Sequence, residues 1–155
     1  SLLKIETGTA VPGLRVISQE IADEVTKMLE AVVSPGGGGT GTLAYIPTHR
    51  VAGKTGTAWY YDVAKGAYDE GNYISLFAGF APVSNPKIVT VVTIHEPKGE
   101  EYGGGRVAAP VFSTITAGAL RIMNIPPDII PADSNSLSLR VNADGLRAPI
   151  AGTGQ

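Results

Sequence analysis

The sequence predicts an α+β fold in which helices pack on an antiparallel sheet. Two segments with helical spacing of apolar residues flank three strand-like segments, and the last two strands are joined by a connection too short for a crossover helix. Hydrophobic residues make up 43% of the 155 residues and charged residues 17%, which is typical of a chain that buries a core. The length is enough for one domain.

The first helix is predicted to begin after Ser18, whose hydroxyl can accept from an unpaired backbone N–H of the first turn. Glu20 and Asp23 follow near the positive end of the helix dipole. Pro35 and the glycines after it end the helix. Its apolar residues recur at helical spacing and predict a stripe that faces the core: Ile21, Ala22, Val25, Met28, Leu29 and Val32.

Three strands are predicted over residues 51–61, 73–81 and 88–94. The third is β-branched almost throughout, as expected of a central strand. Residues 83–87 are typical of a turn, and residues 62–72 are expected to form a longer polar loop. The short connections favour antiparallel pairing.

The second helix is predicted from about Ala109, with Pro110 in its first turn. Asn124 and the prolines at 126 and 127 should end it. Its predicted apolar face consists of Val111, Phe112, Ile115, Ala119, Ile122 and Met123. The chain then becomes rich in Pro, Asn, Ser and Gly, so we divide it into residues 1–127 and a low-complexity tail, 128–155.

Composition excludes several classes of function. A formal net charge of −2 argues against a nucleic-acid partner, which usually requires a basic face. The sequence contains no cysteine, so disulfides, thiolate zinc sites and cysteine nucleophiles are excluded. His49 and His95 lack nearby ligands, so we expect no metal site, and no motif indicates a cofactor.

The stretch Gly53-Lys54-Thr55-Gly56-Thr57-Ala58 is the most informative, and a phosphate-binding loop is one interpretation of it. The loop motif requires an opening glycine where Thr48 stands, and a helix that starts at the lysine. Strand-like aromatic residues follow instead. The glycine-rich run 36–42 also lacks a strand before it and a helix after it, so we interpret it as a flexible linker.

The same stretch matches the K-[ST]-G motif of the penicillin-recognising serine enzymes. A strand with Lys54 offers positive charge, and the hydroxyls of Thr55 and Thr57 can bind a substrate carboxylate. Gly56 leaves the strand open to an approaching substrate. A backbone N–H can point at a developing oxyanion. These few residues alone also fit an ordinary glycine-containing strand.

Further segments occur in one collinear order around this motif: Arg15-Val16-Ile17-Ser18, residues 35–39, residues 52–58, residues 76–82, Gly104-Gly105, residues 109–112 and residues 123–128. Together they make the stretch from Arg15 to about Pro127 resemble the C-terminal part of the transpeptidase domain of class B penicillin-binding proteins, most of all the members that act at the division septum of Gram-negative bacteria. The resemblance implies that this chain forms the C-terminal half of a penicillin-binding protein/serine β-lactamase-like transpeptidase domain.

The resemblance implies an acyl-transfer mechanism. A serine attacks the D-Ala–D-Ala bond of a peptidoglycan stem peptide, terminal D-Ala leaves, and the amine of a neighbouring stem resolves the ester. β-Lactam antibiotics mimic the D-Ala–D-Ala dipeptide, and their reaction with the enzyme stops at the acyl-enzyme ester. Lys54 and Thr57 would be catalytic, Thr57 through its backbone N–H, while Thr55, Gly56 and Thr57 would bind substrate. Tyr73 and Tyr102 would line the pocket, although Gly103 stands where a further aromatic residue is common.

The resemblance also implies a nucleophile outside this sequence. Ser1-Leu2-Leu3-Lys4 matches the family's S-x-x-K literally, but no helix pattern follows it and no S-x-N occurs. We therefore expect an N-terminal portion of the same enzyme to carry both motifs, on a missing segment or a partner chain. The enzyme is expected to lie at the periplasmic face of the inner membrane. Divisome proteins are further expected partners. A D,D-carboxypeptidase or β-lactamase, or a non-catalytic β-lactam-sensing module, stays an alternative.

Overall fold

A computed structural model describes residues 13–129 of the chain. In chain order the elements are helix α1 (Gln19–Val33), a short 3₁₀ turn (Thr42–Ala44), strands β1 (Ala52–Asp62), β2 (Ala67–Ala81) and β3 (Ile88–His95), and helix α2 (Gly104–Ile122). Within these residues the strands form one antiparallel sheet in the order β1-β2-β3, so that β1 and β3 lie at its edges. The central strand is β2 rather than β3, whose β-branched residues predict a central position. Helix α2 packs across the sheet and α1 packs against β1. The predicted α+β fold is confirmed.

Two predictions fall outside the described residues. Ser1-Leu2-Leu3-Lys4 precedes them, and residues 130–155 of the predicted tail follow them. The division into 1–127 and 128–155 therefore stays a prediction.

Helix α1 begins as predicted, because the Ser18 hydroxyl accepts from the backbone N–H of Ile21 at 3.2 Å. Its apolar stripe, however, is not buried by the described residues. Val33 is the buried residue of the helix, whereas Ile21, Val25 and Met28 are 51%, 44% and 66% exposed. Ala22, Leu29 and Val32 are half-buried, so the described residues cover the predicted stripe only in part.

The β1–β2 connection is a hairpin rather than the long polar loop that the sequence predicts over residues 62–72. Strand β2 begins at Ala67, and a turn of four residues separates it from β1. The Asp62 carboxylate accepts from the backbone N–H groups of Ala64 and Lys65, and Gly66 supplies a φ of +63°. These contacts close the turn, so that polar residues extend the strands instead of forming a loop.

Helix α2 begins at Gly104, five residues before the predicted start, which places Pro110 inside the helix rather than in its first turn. Its buried residues also differ from the predicted face: Gly104, Ala108, Ala109, Phe112, Thr116 and Leu120. Val111, Ile115 and Ile122 are exposed instead. The reason is close packing, since small residues bring the helix near the sheet, where Phe112 meets Phe77 at 4.7 Å between ring centroids.

The C-terminus of α2 lies where the sequence predicts it. Asn124 takes a left-handed φ of 52°, and its backbone N–H donates to the Arg121 carbonyl at 3.1 Å. The N–H of Ile125 donates to the Leu120 carbonyl at 3.0 Å. This pair of bonds is the Schellman arrangement that satisfies the last carbonyl groups of a helix.

The glycine-rich run 36–42 is a packed loop, not the flexible linker that its composition suggests. The N–H of Gly41 donates to the Val32 carbonyl at 3.1 Å. A Cβ atom at Gly39 would lie under 3.0 Å from backbone atoms of Val32. Glycine is required here because the loop folds back directly onto the end of α1.

Asp128 joins the segment after α2 to the rest of the chain. Its carboxylate accepts from the N–H of Arg50 at 2.6 Å and from the hydroxyl of Ser84 at 2.8 Å. Burial opposes its charge, but these donors outweigh that effect and hold the pKa of Asp128 below its ordinary value. A carboxyl with a lowered folded-state pKa stabilises the fold above its unfolded pKa, and this contribution is lost as pH falls through the folded value.

We predict that Asp128→Asn lowers the free energy of unfolding at pH 7 by about 1 kcal/mol, since an amide accepts these bonds less well than a carboxylate does. The same variant should lose less stability than the unsubstituted protein as pH falls below about 4. Urea denaturation at a series of pH values measures both effects. Parallel pH profiles for the two proteins would contradict the role of this carboxylate.

Candidate active site

The motif residues Lys54 to Thr57 lie on β1, one of the two edge strands of the sheet that the described residues form. Lys54 and Thr57 are exposed, while Thr55 and Gly56 are half-buried. A strand at Lys54 offers no helix N-terminus, so the geometry of a phosphate-binding loop is not present. The strand that the K-[ST]-G interpretation requires is present.

Lys54 belongs to a polar cluster with two threonine residues. Its Nζ donates to the Thr55 carbonyl at 3.0 Å and to the Thr55 hydroxyl at 3.1 Å. The Thr55 Oγ1 lies 2.8 Å from the Oγ1 of Thr40, which the packed glycine-rich loop brings to the strand. The cluster places a cation and two hydroxyl groups together on the exposed part of β1.

An open groove of about 280 Å³ borders Lys54. Leu29 of α1 forms one side, and Ala78, Phe80 and Val89 of the sheet form the other. Lys54 therefore contributes to one end of an apolar groove, while its ammonium group is bonded to Thr55 on the exposed part of the strand.

Thr57 is held by the beginning of α2. Its Oγ1 accepts from the backbone N–H of Gly104 at 3.1 Å, which leaves the hydroxyl hydrogen free to donate to another group. The first N–H groups of a helix carry partial positive charge, which favours an anion nearby. A Cβ atom at Gly104 would lie under 3.0 Å from the carbonyl oxygens of Gly56 and Leu76. Glycine is thus the residue that allows the helix to reach the motif strand.

Tyr73 and Tyr102 lie together, although they are far apart in the sequence. Their rings stack with centroids 4.0 Å apart and planes inclined by 14°. Tyr102 is held because its carbonyl oxygen accepts from the buried hydroxyl of Ser75, the residue that pairs with Thr57 across the sheet. The stacked pair is therefore fixed relative to the motif. A Cβ atom at Gly103 would have no neighbour within 4 Å.

All the residues assigned to the site from the sequence thus lie on β1, on the facing part of β2, or directly before α2. Two further residues, Thr40 and Ser75, position Thr55 and Tyr102 and are not predicted from the sequence. No pattern around Thr40 or Ser75 signals these contacts. Gly104 and Gly105 were noticed only through the family resemblance, although adjacent glycines before a helix are a general sign of close backbone approach.

The side chain of His49, to which the sequence assigns no role, packs in the interior of the described residues. His49 is buried, and its ring nitrogens contact the Thr48 hydroxyl and the Ile125 carbonyl. Across residues 13–129, no three His, Cys, Asp or Glu side chains are grouped so as to hold a metal ion. Among the helices of that same stretch, none has both the length and the apolar character needed to cross a bilayer.

Comparison with known proteins identifies the family. A family model described as the penicillin binding protein transpeptidase domain matches residues 3–117. The chain is 44% identical over 124 residues to a peptidoglycan D,D-transpeptidase FtsI of Escherichia coli K12, which covers 77% of this chain and 20% of that protein. A protein of the same name from Buchnera aphidicola (subsp. Baizongia pistaciae) is 47% identical over 114 residues, covering 74% of this chain and 19% of the relative.

Solved structures agree with these matches. The apo transpeptidase domain of Burkholderia pseudomallei penicillin-binding protein 3 superposes with a TM-score of 0.68 at 43% identity, over 82% of this chain and 37% of that one. Penicillin-binding protein 3 of Mycobacterium tuberculosis in complex with aztreonam gives 0.63 at 35% identity, over 74% and 27%. The chain spans about a fifth of the length of the curated relatives it matches. The chain belongs to the penicillin-binding protein transpeptidase domain family.

Proposed function

We propose that this chain is the K-T-G-bearing part of a peptidoglycan D,D-transpeptidase of cell division, which cross-links stem peptides and is acylated by β-lactam antibiotics. Relatives that share 44% and 47% of their aligned residues with it carry that enzyme name. The observation that carries the proposal is the arrangement on edge strand β1, where the Lys54 ammonium, the Thr55 and Thr57 hydroxyls and the start of α2 lie together on an accessible edge.

Each residue has a chemical role in this proposal. Lys54 provides the positive charge, and the hydroxyls of Thr55 and Thr57 bind the carboxylate of the terminal D-Ala. The backbone N–H of Thr57 donates to the oxyanion that forms during acyl transfer, a contribution of about 3 kcal/mol for a single donor. Gly56 keeps the strand accessible. The stacked Tyr73 and Tyr102 form one wall of the substrate pocket.

The nucleophile comes from the N-terminal portion of the same enzyme, which carries S-x-x-K and S-x-N. Its serine oxygen attacks the carbonyl carbon of the D-Ala–D-Ala bond while its lysine partner takes the hydroxyl proton. The peptide bond breaks, the leaving amine of D-Ala receives a proton, and an ester remains. The amine of a second stem peptide then attacks the ester and restores the serine. No cofactor takes part in these steps.

The exposed apolar surfaces of the described residues support a missing portion of this kind. Ile21, Val25 and Met28 of α1 are exposed, the groove beside Lys54 is apolar and open, and Val89 and Val91 of β3 are exposed as well. Clustered exposed apolar side chains are typical of surfaces that bind further protein. The site strand and these surfaces would then face the serine-bearing portion, in an enzyme anchored at the periplasmic face of the inner membrane and in contact with divisome proteins.

The test of the proposal is covalent labelling by a fluorescent penicillin. The enzyme that joins this chain to its N-terminal portion should form an adduct on a serine of that portion and should cross-link two stem peptides. This chain by itself should form none. An adduct that maps to Ser1, or an intact enzyme that forms no adduct, would contradict the proposal. Hydrolysis of the donor without transfer to an amine would indicate a carboxypeptidase instead.

A further inference from the structure

The β1–β2 hairpin extends beyond the rest of the sheet. Strand β3 pairs only with Ile74–Ala81 of β2, so residues 59–69, here called the hairpin arm, form a ribbon of two strands that β3 does not extend. The arm exposes three large aromatic side chains. Trp59, Tyr61 and Tyr68 are 50%, 47% and 64% exposed. Such side chains on a projecting ribbon do not serve the core, which indicates a binding surface.

The aromatic residues of the arm continue the candidate site. In the strand register Trp59 pairs with Tyr73, and Tyr61 pairs with Tyr68, whose ring meets it edge to face at 5.2 Å. Tyr73 in turn stacks on Tyr102. Directly paired residues share a face of a sheet, so Trp59 lies beside Tyr73 and Tyr61 beside Tyr68, with an irregularity in the strand register between the two pairs. Aromatic pairs therefore follow one another along the hairpin from the pocket wall into the arm.

The charges near the tip of the arm are paired internally. The ammonium group of Lys65, the only lysine or arginine between residues 59 and 69, lies 3.2 Å from the Asp62 carboxylate and 3.3 Å from that of Asp69. This cation is therefore engaged and does not favour an anionic lipid surface. Aromatic rings beside engaged polar groups suit a neutral ligand with flat apolar faces and many hydroxyl groups, which is the chemistry of a sugar.

The geometry of β1 fixes where such a sugar would lie relative to the site. A stem peptide whose carboxylate is bound at Lys54 and Thr57 can extend in two directions along the edge of β1 that pairs with no strand of residues 13–129. Towards the start of the strand, Ala52 and Gly53 are buried. The peptide therefore runs towards the arm, where Trp59 and Tyr61 are exposed.

An extended peptide advances about 3.3 Å per residue, so a peptide that follows four positions of the strand covers about 13 Å. Tyr61 lies four residues beyond Thr57 on the same strand. The sugar to which the stem is attached thus reaches the paired rings of Tyr61 and Tyr68. We propose that the hairpin arm binds the amino-sugar unit of the glycan strand that carries the donor stem peptide, an inference that rests on the proposed function.

The test compares two donors in the intact enzyme. Both carry the same stem peptide ending in D-Ala–D-Ala, and one is also attached to the disaccharide of N-acetylglucosamine and N-acetylmuramic acid. We expect the kcat/KM of acylation to be about tenfold higher for the disaccharide donor, since aromatic stacking contributes on this scale. In the variant Tyr61→Ser/Tyr68→Ser the ratio of the two kcat/KM values should fall to about one.

The variant Tyr61→Phe/Tyr68→Phe keeps both rings and should keep most of the ratio. A ratio is insensitive to a general loss of folded protein, and melting temperatures check the fold of each variant. A ratio of one in the unsubstituted enzyme, or an unchanged ratio in the serine variant, would overturn the inference. If the serine variant keeps the ratio but no longer binds vesicles of phosphatidylethanolamine and phosphatidylglycerol, the inference is also overturned. That result would assign the arm to the membrane. If neither donor acylates the enzyme, the proposed function fails as well.

Discussion

Replacement of Lys54 by alanine in the intact enzyme is expected to slow acylation by penicillin by about 10²- to 10³-fold, the range seen when a single electrostatic contact to a transition state is removed. The Nζ of Lys54 donates to the carbonyl and hydroxyl of Thr55 and is the cation of the site cluster. Its removal takes away the charge that attracts the substrate carboxylate and one contact that orients the Thr55 hydroxyl. Stopped-flow labelling with a fluorescent penicillin measures the rate.

The fold should survive this change. Lys54 is exposed on an edge strand, and surface substitutions of this kind usually alter the free energy of unfolding by no more than about 0.5 kcal/mol. The matched control is Lys87→Ala, which removes an exposed lysine from the β2–β3 turn. Equal acylation rates for the Lys54→Ala and Lys87→Ala variants would remove Lys54 from the site.

Replacement of Gly104 by alanine is expected to lower the free energy of unfolding by about 3 kcal/mol or more, at the upper end of the cost of overpacking. The added Cβ atom would lie under 3.0 Å from the carbonyl oxygens of Leu76 and Gly56 and 3.2 Å from the Gly56 nitrogen. These are backbone atoms of paired strands, which cannot turn aside as a flexible side chain can. The start of α2 must then move away from the motif strand, so that acylation by penicillin should slow as well.

Two other glycines, Gly118 and Gly103, provide controls for this variant. At Gly118, inside the same helix, an added Cβ atom would have no neighbour within 4 Å, so Gly118→Ala should stabilise the protein by about 0.5 to 1 kcal/mol. At Gly103, one residue before Gly104, the space is also open and φ is −70°, so alanine should be tolerated. Urea denaturation distinguishes the three. A Gly104→Ala protein as stable as the Gly103→Ala protein would contradict the packing described here.

Tertiary contacts explain why the structure differs from the sequence-based predictions at α2, at residues 62–72 and at residues 36–42. The face of α2 was misassigned because apolar size was used as the guide, whereas Gly104, Ala108 and Thr116 are buried as the helix lies close to the sheet. The polar residues 62–72 were assigned to a loop because nothing local reveals that Asp62 closes a tight turn. The run 36–42 was assigned to a linker because glycine content signals freedom and close packing equally well.

The sequence by itself determined the fold class, the cap at Ser18, the end of α2 and the strand that carries Lys54 to Thr57, because capping, periodicity and β-branched residues act within a few positions of one another. Only the tertiary structure decided that Thr40 reaches Thr55, that Gly104 contacts Thr57, and that Tyr102 stacks on Tyr73. These contacts join residues distant in the chain, and each depends on how closely a loop or helix can approach the sheet. That distance is set by packing of the whole domain, which no local pattern encodes.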